Sequence, residues 1–196
     1  MAIMSKIFNE EIAMNINRDK YLNDLINRMH NGMIKVVTGI RRCGKSYLIF
    51  TIFRNYLLEQ GVDENHIISI ELDQRKDKKY RNPDTILDYI ESGIVDEEQY
   101  YVLLDEVQLL EEFEEVLNSL LHIKNVDVYV TGSNSKFLSK DVITEFRGRG
   151  DEIHIYPLTF KDIIYINEFF SILFCLFFYF KNHIIKTTIY FTQKWK

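Results

Sequence analysis

Apolar residues fall along this chain in two alternating patterns. A short β-branched run at 33–38 and five apolar residues at 100–104 each read as a buried strand, and 126–131 reads as a further strand. The run 67–72 alternates enough to be a further strand, and 153–156, ended by Pro157, reads as the last one. Between these runs the spacing is helical. Tyr21, Leu22, Leu25, Ile26 and Met29 mark a lead-in helix that stops at Asn31-Gly32, and 47–58 forms a longer helix with Gly61 as its stop. Asn82 as cap and Pro83 at the first position open a third helix, which turns Ile86, Leu87, Tyr89 and Ile90 to the core until Ser92-Gly93. Phe113, Val116, Leu117, Leu120 and Leu121 give a fourth helix one apolar face. The acids Glu111, Glu112, Glu114 and Glu115 crowd its first turns, where they suit the helix dipole as a solvated face. A short helix over 139–146 and a capping box at Thr159-Phe160-Lys161-Asp162 complete the pattern. The charged stretch 73–81 reads as a solvated connector in preference to a nucleic-acid contact.

Composition narrows the class. The 196 residues are enough for one domain with a sizeable core, or for one domain and a fragment of another. Apolar and charged shares of 46% and 27% are those of a soluble globular protein. A net charge of −5 gives no general pull toward nucleic acid, so such contact would need a local basic patch. The two cysteines form no disulfide framework and point to a reducing cytoplasm. The first residues lack the charged head and apolar run of a signal peptide. His30, His66, His122, His154 and His183 fall at no ligand spacing, so no His or Cys metal centre is expected.

Candidate chemistry begins where the first strand ends. Gly39-Ile40-Arg41-Arg42-Cys43-Gly44-Lys45-Ser46 satisfies G-x-x-x-x-G-K-[ST] at every fixed position, with a strand before it and a helix from Tyr47 behind it. That is a Walker A phosphate loop in its required context. Gly39 and Gly44 lack a Cβ and let backbone N–H groups curl around a phosphate, onto which the helix also directs its positive dipole end. Lys45 brings a point charge to the β and γ oxygens, and Ser46 offers a hydroxyl to Mg²⁺. Further on, the run 100–104 leads into Asp105-Glu106, a Walker B arrangement that carries Asp105 to the Mg²⁺ side of the phosphates. Glu106 is then the general base for the attacking water. The next strand ends near Thr131, Ser133 and Asn134, polar candidates to hold that water. Arg147 and Arg149, on a glycine-flexed loop, are candidates for a finger or sensor that stabilises charge on the transferring phosphoryl group.

GIRRCGKSYLI, YVLLDEVQ, VYVTGSNSKFLS and FRGRGDEIHIYPLTFKD, in that order and spacing, resemble a family of prokaryotic AAA-type ATPases. In that family an N-terminal P-loop domain precedes a C-terminal domain of unknown function with winged-helix and nuclease-like parts. The resemblance covers about Arg18 to Tyr165. It implies an α/β fold: a three-layer P-loop NTPase with a parallel five-stranded sheet in the order 5-1-4-3-2, flanked by helices. It also implies Lys45 and Ser46 at the phosphates and Mg²⁺, Asp105 and Glu106 as Walker B, and Ser133 or Asn134 as the sensor. Gly148-Arg149 matches the family's pattern after the sensor.

The domain expectation is therefore a lead-in at 1–17, an AAA-type ATPase domain at 18–166 and a tail at 167–196 unlike the family's continuation. The tail's apolar run at 169–180 is shorter than the ~20 residues that cross a bilayer, which leaves an interfacial anchor or a buried helix as its alternatives. Its Phe, Ile, Tyr, Lys and Asn content is what A/T-rich codons supply, and predicts a truncated product read after a frame change. The expected activity is Mg²⁺-dependent hydrolysis of ATP, coupled to an unidentified protein partner, a second copy of the chain included. An ATP-binding switch that hydrolyses little is the alternative. A small-molecule kinase fits less well, because Asp105 and Glu106 are adjacent and a strand separates the two motifs.

Overall fold

The structure, a computed structural model, describes residues 18–132 and 148–158. Except for Leu158, these belong to one compact unit, Asn17–Pro157. Five strands form its sheet: β1 (Ile34–Thr38), β2 (Ile67–Glu71), β3 (Tyr100–Asp105), β4 (Val126–Thr131) and β5 (Gly150–His154). All pairings are parallel and the order is β2-β3-β4-β1-β5, the order that the resemblance implies.

Burial explains why the central strands are mostly apolar. A parallel sheet carries helices on both faces, so β1 and β3 have no solvent side on which to place polar residues. Successive side chains of β3 alternate between two cores. Tyr100, Val102 and Leu104 pack with Ile86 and Ile90 of α3 (Pro83–Gly93) and with Val116, Leu117 and Leu120 of α4 (Phe113–Leu120). Tyr101 and Leu103 pack on the other face, with Leu25 of α1 (Asp19–Ile26) and with Leu48, Ile49, Phe53 and Leu57. Each of these fully buried aliphatic or aromatic side chains stabilises the fold by about 1.5–3 kcal/mol relative to exposure.

The second of those cores is built on α2, the helix over 45–59 that follows the phosphate loop. It starts as α-helix at Lys45–Tyr47, widens to a π-helix at Leu48–Phe53 and returns to α-helix at Arg54–Glu59. Its end is a Schellman motif at the expected glycine: Gly61 N–H donates to Leu58 O and Val62 N–H to Leu57 O, at 3.0 and 3.1 Å. Helix α3 starts as its sequence predicts, with the Asn82 side chain accepting from Thr85 N–H at 3.0 Å.

Three expectations change. The stretch 73–81 is not a plain solvated loop: Arg75–Arg81 winds as a 3₁₀-helix because Tyr80 is anchored in the core, and the Arg81 guanidinium closes back on Leu72 O at 2.8 Å. Tyr89 does not turn to the core; it is 44% exposed and lies on the Tyr80 ring, 4.5 Å between centroids. The last strand is Gly150–His154, not 153–156, since pairing with β1 runs from Ile34↔Gly150 to Thr38↔His154.

One polar group inside the sheet needs its own account. Lys35 of β1 is 0% exposed, and its ammonium forms an ion pair with Asp127 of β4. Asp127 also accepts from the Tyr129 hydroxyl at 2.8 Å and from His30 N–H at 3.0 Å. Burial lowers the Lys35 pKa, while the charge and hydrogen bond of Asp127 act to raise it.

Among the described residues no helix is long and apolar enough to cross a membrane. The helix expected over 139–146, the capping box at 159–162 and the tail from 167 lie outside the described residues.

Candidate phosphate and metal site

The ends of three adjacent strands converge at the C-terminal edge of the sheet. β1 runs through Thr38 into Gly39, whose φ of +146° sends the chain into the loop. A Cβ there would lie 2.4 Å from the Ile155 carbonyl oxygen and 2.8 Å from Cys43 Sγ, so the loop closes against the chain after β5 only because the residue is glycine. Gly39→Ala is expected to destabilise the fold by about 1–3 kcal/mol and to open the loop. Chemical denaturation checks this, and a loss below about 0.5 kcal/mol would mean that Ile155 moves aside freely.

Within the loop Ile40, Arg41 and Arg42 are exposed, Cys43 is buried, and Gly44, Ser46 and Tyr47 are half-buried. Cys43 N–H donates to Ile40 O at 3.3 Å, and Leu48 N–H to Gly44 O at 3.0 Å as α2 begins. The Lys45 side chain is enclosed, 4% exposed, and its ammonium donates to the Gly39 and Ile40 carbonyls at 3.2 Å each. The cation is thereby held over the loop by neutral acceptors.

The acid-bearing strand meets the loop at Ser46. Ser46 Oγ donates to Asp105 Oδ1 at 2.9 Å. The Thr131 hydroxyl at the end of β4 donates to the same oxygen and accepts from Glu106 N–H at 3.0 Å. Burial raises the Asp105 pKa; the hydrogen bonds from Thr131 and Ser46 oppose this, and the charges of Glu106 and Asp73 reinforce it. Glu106 has a left-handed backbone, φ 49° and ψ 49°, a strained conformation for glutamate. Its carboxylate accepts from the Gln108 side-chain amide, whose own oxygen is buried with no partner among the described residues.

Oxygen donors at this edge extend beyond the residues read from sequence. Carboxylate oxygens of Glu71, Asp73 and Asp105 lie within 4.8 Å of one another. The register pairs Glu71 with Asp105, so an acid at the end of β2 becomes meaningful once β2 is known to neighbour β3.

Arg149 is not part of this cluster. Its carbonyl accepts from Ile34 N–H, at the start of β1, and its guanidinium donates to Asn118 Oδ1 at 3.2 Å. It therefore sits at the edge of the sheet opposite the loop, roughly 13 Å away along β1 at ~3.3 Å per residue. Within one chain the Arg149 guanidinium is turned to Asn118 and away from the loop. Ser133, Asn134 and Arg147 lie outside the described residues.

Residues 31–164 match the family model of an AAA domain. An uncharacterized protein of Haemophilus influenzae is 34% identical over 151 residues, covering 76% of this chain and 38% of that protein. An uncharacterized protein of Methanocaldococcus jannaschii is 27% identical over 158 residues, covering 79% of this chain and 32% of its own. The chain thus spans less than two fifths of the length of either relative. Among solved structures, Caenorhabditis elegans PCH-2 aligns with a TM-score of 0.51 at 16% identity, over 71% of this chain and 41% of that one. A DNA polymerase III gamma subunit-related protein of Thermotoga maritima aligns with a TM-score of 0.50 at 8% identity, over 69% and 46%. At those identities the likeness is one of fold. With its family match extending over most of its length, and a phosphate loop between β1 and α2 of a parallel five-stranded sheet, the chain belongs to the AAA-type P-loop ATPase family.

Proposed function

We propose that this chain binds ATP with Mg²⁺ at residues 39–47 and hydrolyses it to ADP and phosphate, in the service of an unidentified protein partner. The observation that carries this reading is the 2.9 Å contact between Ser46 and Asp105, which joins the two motifs at one edge of the sheet. Hard oxygen donors of this kind fit Mg²⁺, which takes one or two carboxylates together with phosphate oxygens and water. Ser46 and Asp105 would hold the ion, which supplies neutralisation of the phosphate charge. Lys45 and the loop N–H groups bind the phosphates through charge-assisted hydrogen bonds. Glu106 accepts the proton of the attacking water as its oxygen bonds to the γ-phosphorus and the bond to the β,γ-bridging oxygen breaks. The assignments of Ser133 and Asn134 as water-positioning residues, and of Arg147 as an arginine acting on the γ-phosphate, belong to the same proposal; Arg149, at the opposite edge of its own sheet, enters it only as an arginine supplied to a neighbouring copy.

Glu106→Gln should leave ATP affinity within a few-fold of wild type and slow multiple-turnover phosphate release by about 10²–10⁴-fold. Loss of binding together with turnover would remove Glu106 from this role.

A second reading, an ATP-binding switch with little turnover, is favoured by one contact: the Glu106 carboxylate is engaged by Gln108. Tight ATP binding by the wild-type chain without phosphate release would select it.

A further inference from the structure

Arg18 carries a buried charge that the proposed mechanism does not use. It stands just before α1, where its carbonyl accepts from Tyr21 and Leu22 N–H at 2.9 and 3.0 Å. Its side chain does not follow the helix; it crosses to the phosphate loop. Measured from the position that a Gly44 Cβ would occupy, Cζ and Nη2 lie at 3.8 Å and Nε at 4.0 Å. Nη1 donates to Tyr156 O at 3.1 Å, beyond β5, and Tyr156 N–H in turn donates to the Tyr21 hydroxyl at 3.2 Å. The guanidinium carbon is 5.4 Å from the Tyr21 ring centroid.

These contacts fix the guanidinium without neutralising it. The residue is 9% exposed, and among the described residues no carboxylate pairs with it. A guanidinium has five N–H donors in a planar fork. An enclosed cationic fork with one side-chain hydrogen bond among the described residues, set against the glycine that precedes Lys45, is matched to a multivalent anion at that loop.

Resting on the reading of the loop as a nucleotide site, we propose that Arg18 is a second cationic contact for the phosphate chain of the bound nucleotide. It approaches from the α1 side of the loop, and its Tyr156 contact holds it in place. The charge is the functional element; the link to the Tyr156 carbonyl is its support.

The test compares ATP and ADP affinities of the full chain and three variants by isothermal titration, with melting temperatures measured without nucleotide. Arg18→Ala and Arg18→Gln should each weaken both nucleotides by about 10- to 100-fold. Arg18→Lys, which keeps the charge, should recover most of that loss. Glutamine can still donate to the Tyr156 carbonyl, so a merely structural role predicts rescue by Gln instead. Wild-type affinity in Arg18→Gln overturns the proposal while the phosphate loop stands. Absence of binding by the wild-type chain overturns the nucleotide reading itself, and the role of Arg18 with it. Should the variants fail to fold, the Arg18 ¹⁵Nε resonance of the wild-type chain decides: it should shift when ADP is added, and an unmoved signal with ADP bound overturns the contact.

Discussion

Lys45→Ala is expected to reduce ATP and ADP affinity at least about a hundredfold, which in a direct titration at micromolar protein reads as no binding. The expected loss is electrostatic and local in origin. The ammonium is nearly inaccessible to bulk water, and its acceptors are the neutral carbonyls of Gly39 and Ile40. Hydrogen bonds involving an ionised group contribute about 1.5–3 kcal/mol each, and a phosphate offers the ammonium more than one oxygen. The substitution removes the charge and leaves two loop carbonyls for water to satisfy, with the Ser46–Asp105 contact and both cores intact. Circular dichroism should therefore match wild type. Affinity within tenfold of wild type would mean that the loop does not hold the phosphates through Lys45.

The largest effect on stability is expected at the other end of the sheet. Asp127→Ala should destabilise the chain by about 3–5 kcal/mol, because it leaves the Lys35 ammonium buried without its counter-charge. The Tyr129 hydroxyl and His30 N–H lose their acceptor in the same step. Replacing both partners at once, as Lys35→Met with Asp127→Leu, removes the pair with its desolvation cost and should lie much closer to wild type. Equilibrium unfolding in denaturant measures both. A single variant that loses less than about 1 kcal/mol would show that water reaches Lys35.

What the sequence discloses depends on whether its physics is local. The loop is legible because its fixed positions, Gly39, Gly44, Lys45 and Ser46, follow a known spacing, and the central strands because burial on two faces leaves few polar residues within them, Lys35 and Asp127 being paired with each other. Strand β5 is less so. As an edge strand it carries Asp151 and Glu152 beside Ile153, which masks its apolar side, and its extent is set by backbone pairing with β1. The π-turns of α2, which bury Leu48, Ile49 and Phe53, leave no mark in the apolar spacing.

Placement in space is the harder problem. Arg149 follows the expected sensor in sequence, which suggests proximity to the phosphates. A residue that immediately precedes a parallel strand must nevertheless lie at the start of that strand, away from the edge where β1 releases the loop. Parallel topology alone carries that correction. Arg18 escapes a sequence reading for a different reason: nothing in the order of residues indicates that the start of α1 folds over Gly44.

Thr131 adds a constraint on how this domain could be driven. A single hydroxyl touches the carboxylate proposed for the ion and the backbone of the residue proposed for the base, and it is the final residue of β4. A pull on the chain leaving that strand would therefore act on both acids through one hydroxyl. Control exerted from there would set ion capture and water activation on a common clock, whereas Gln108 bears on Glu106 alone.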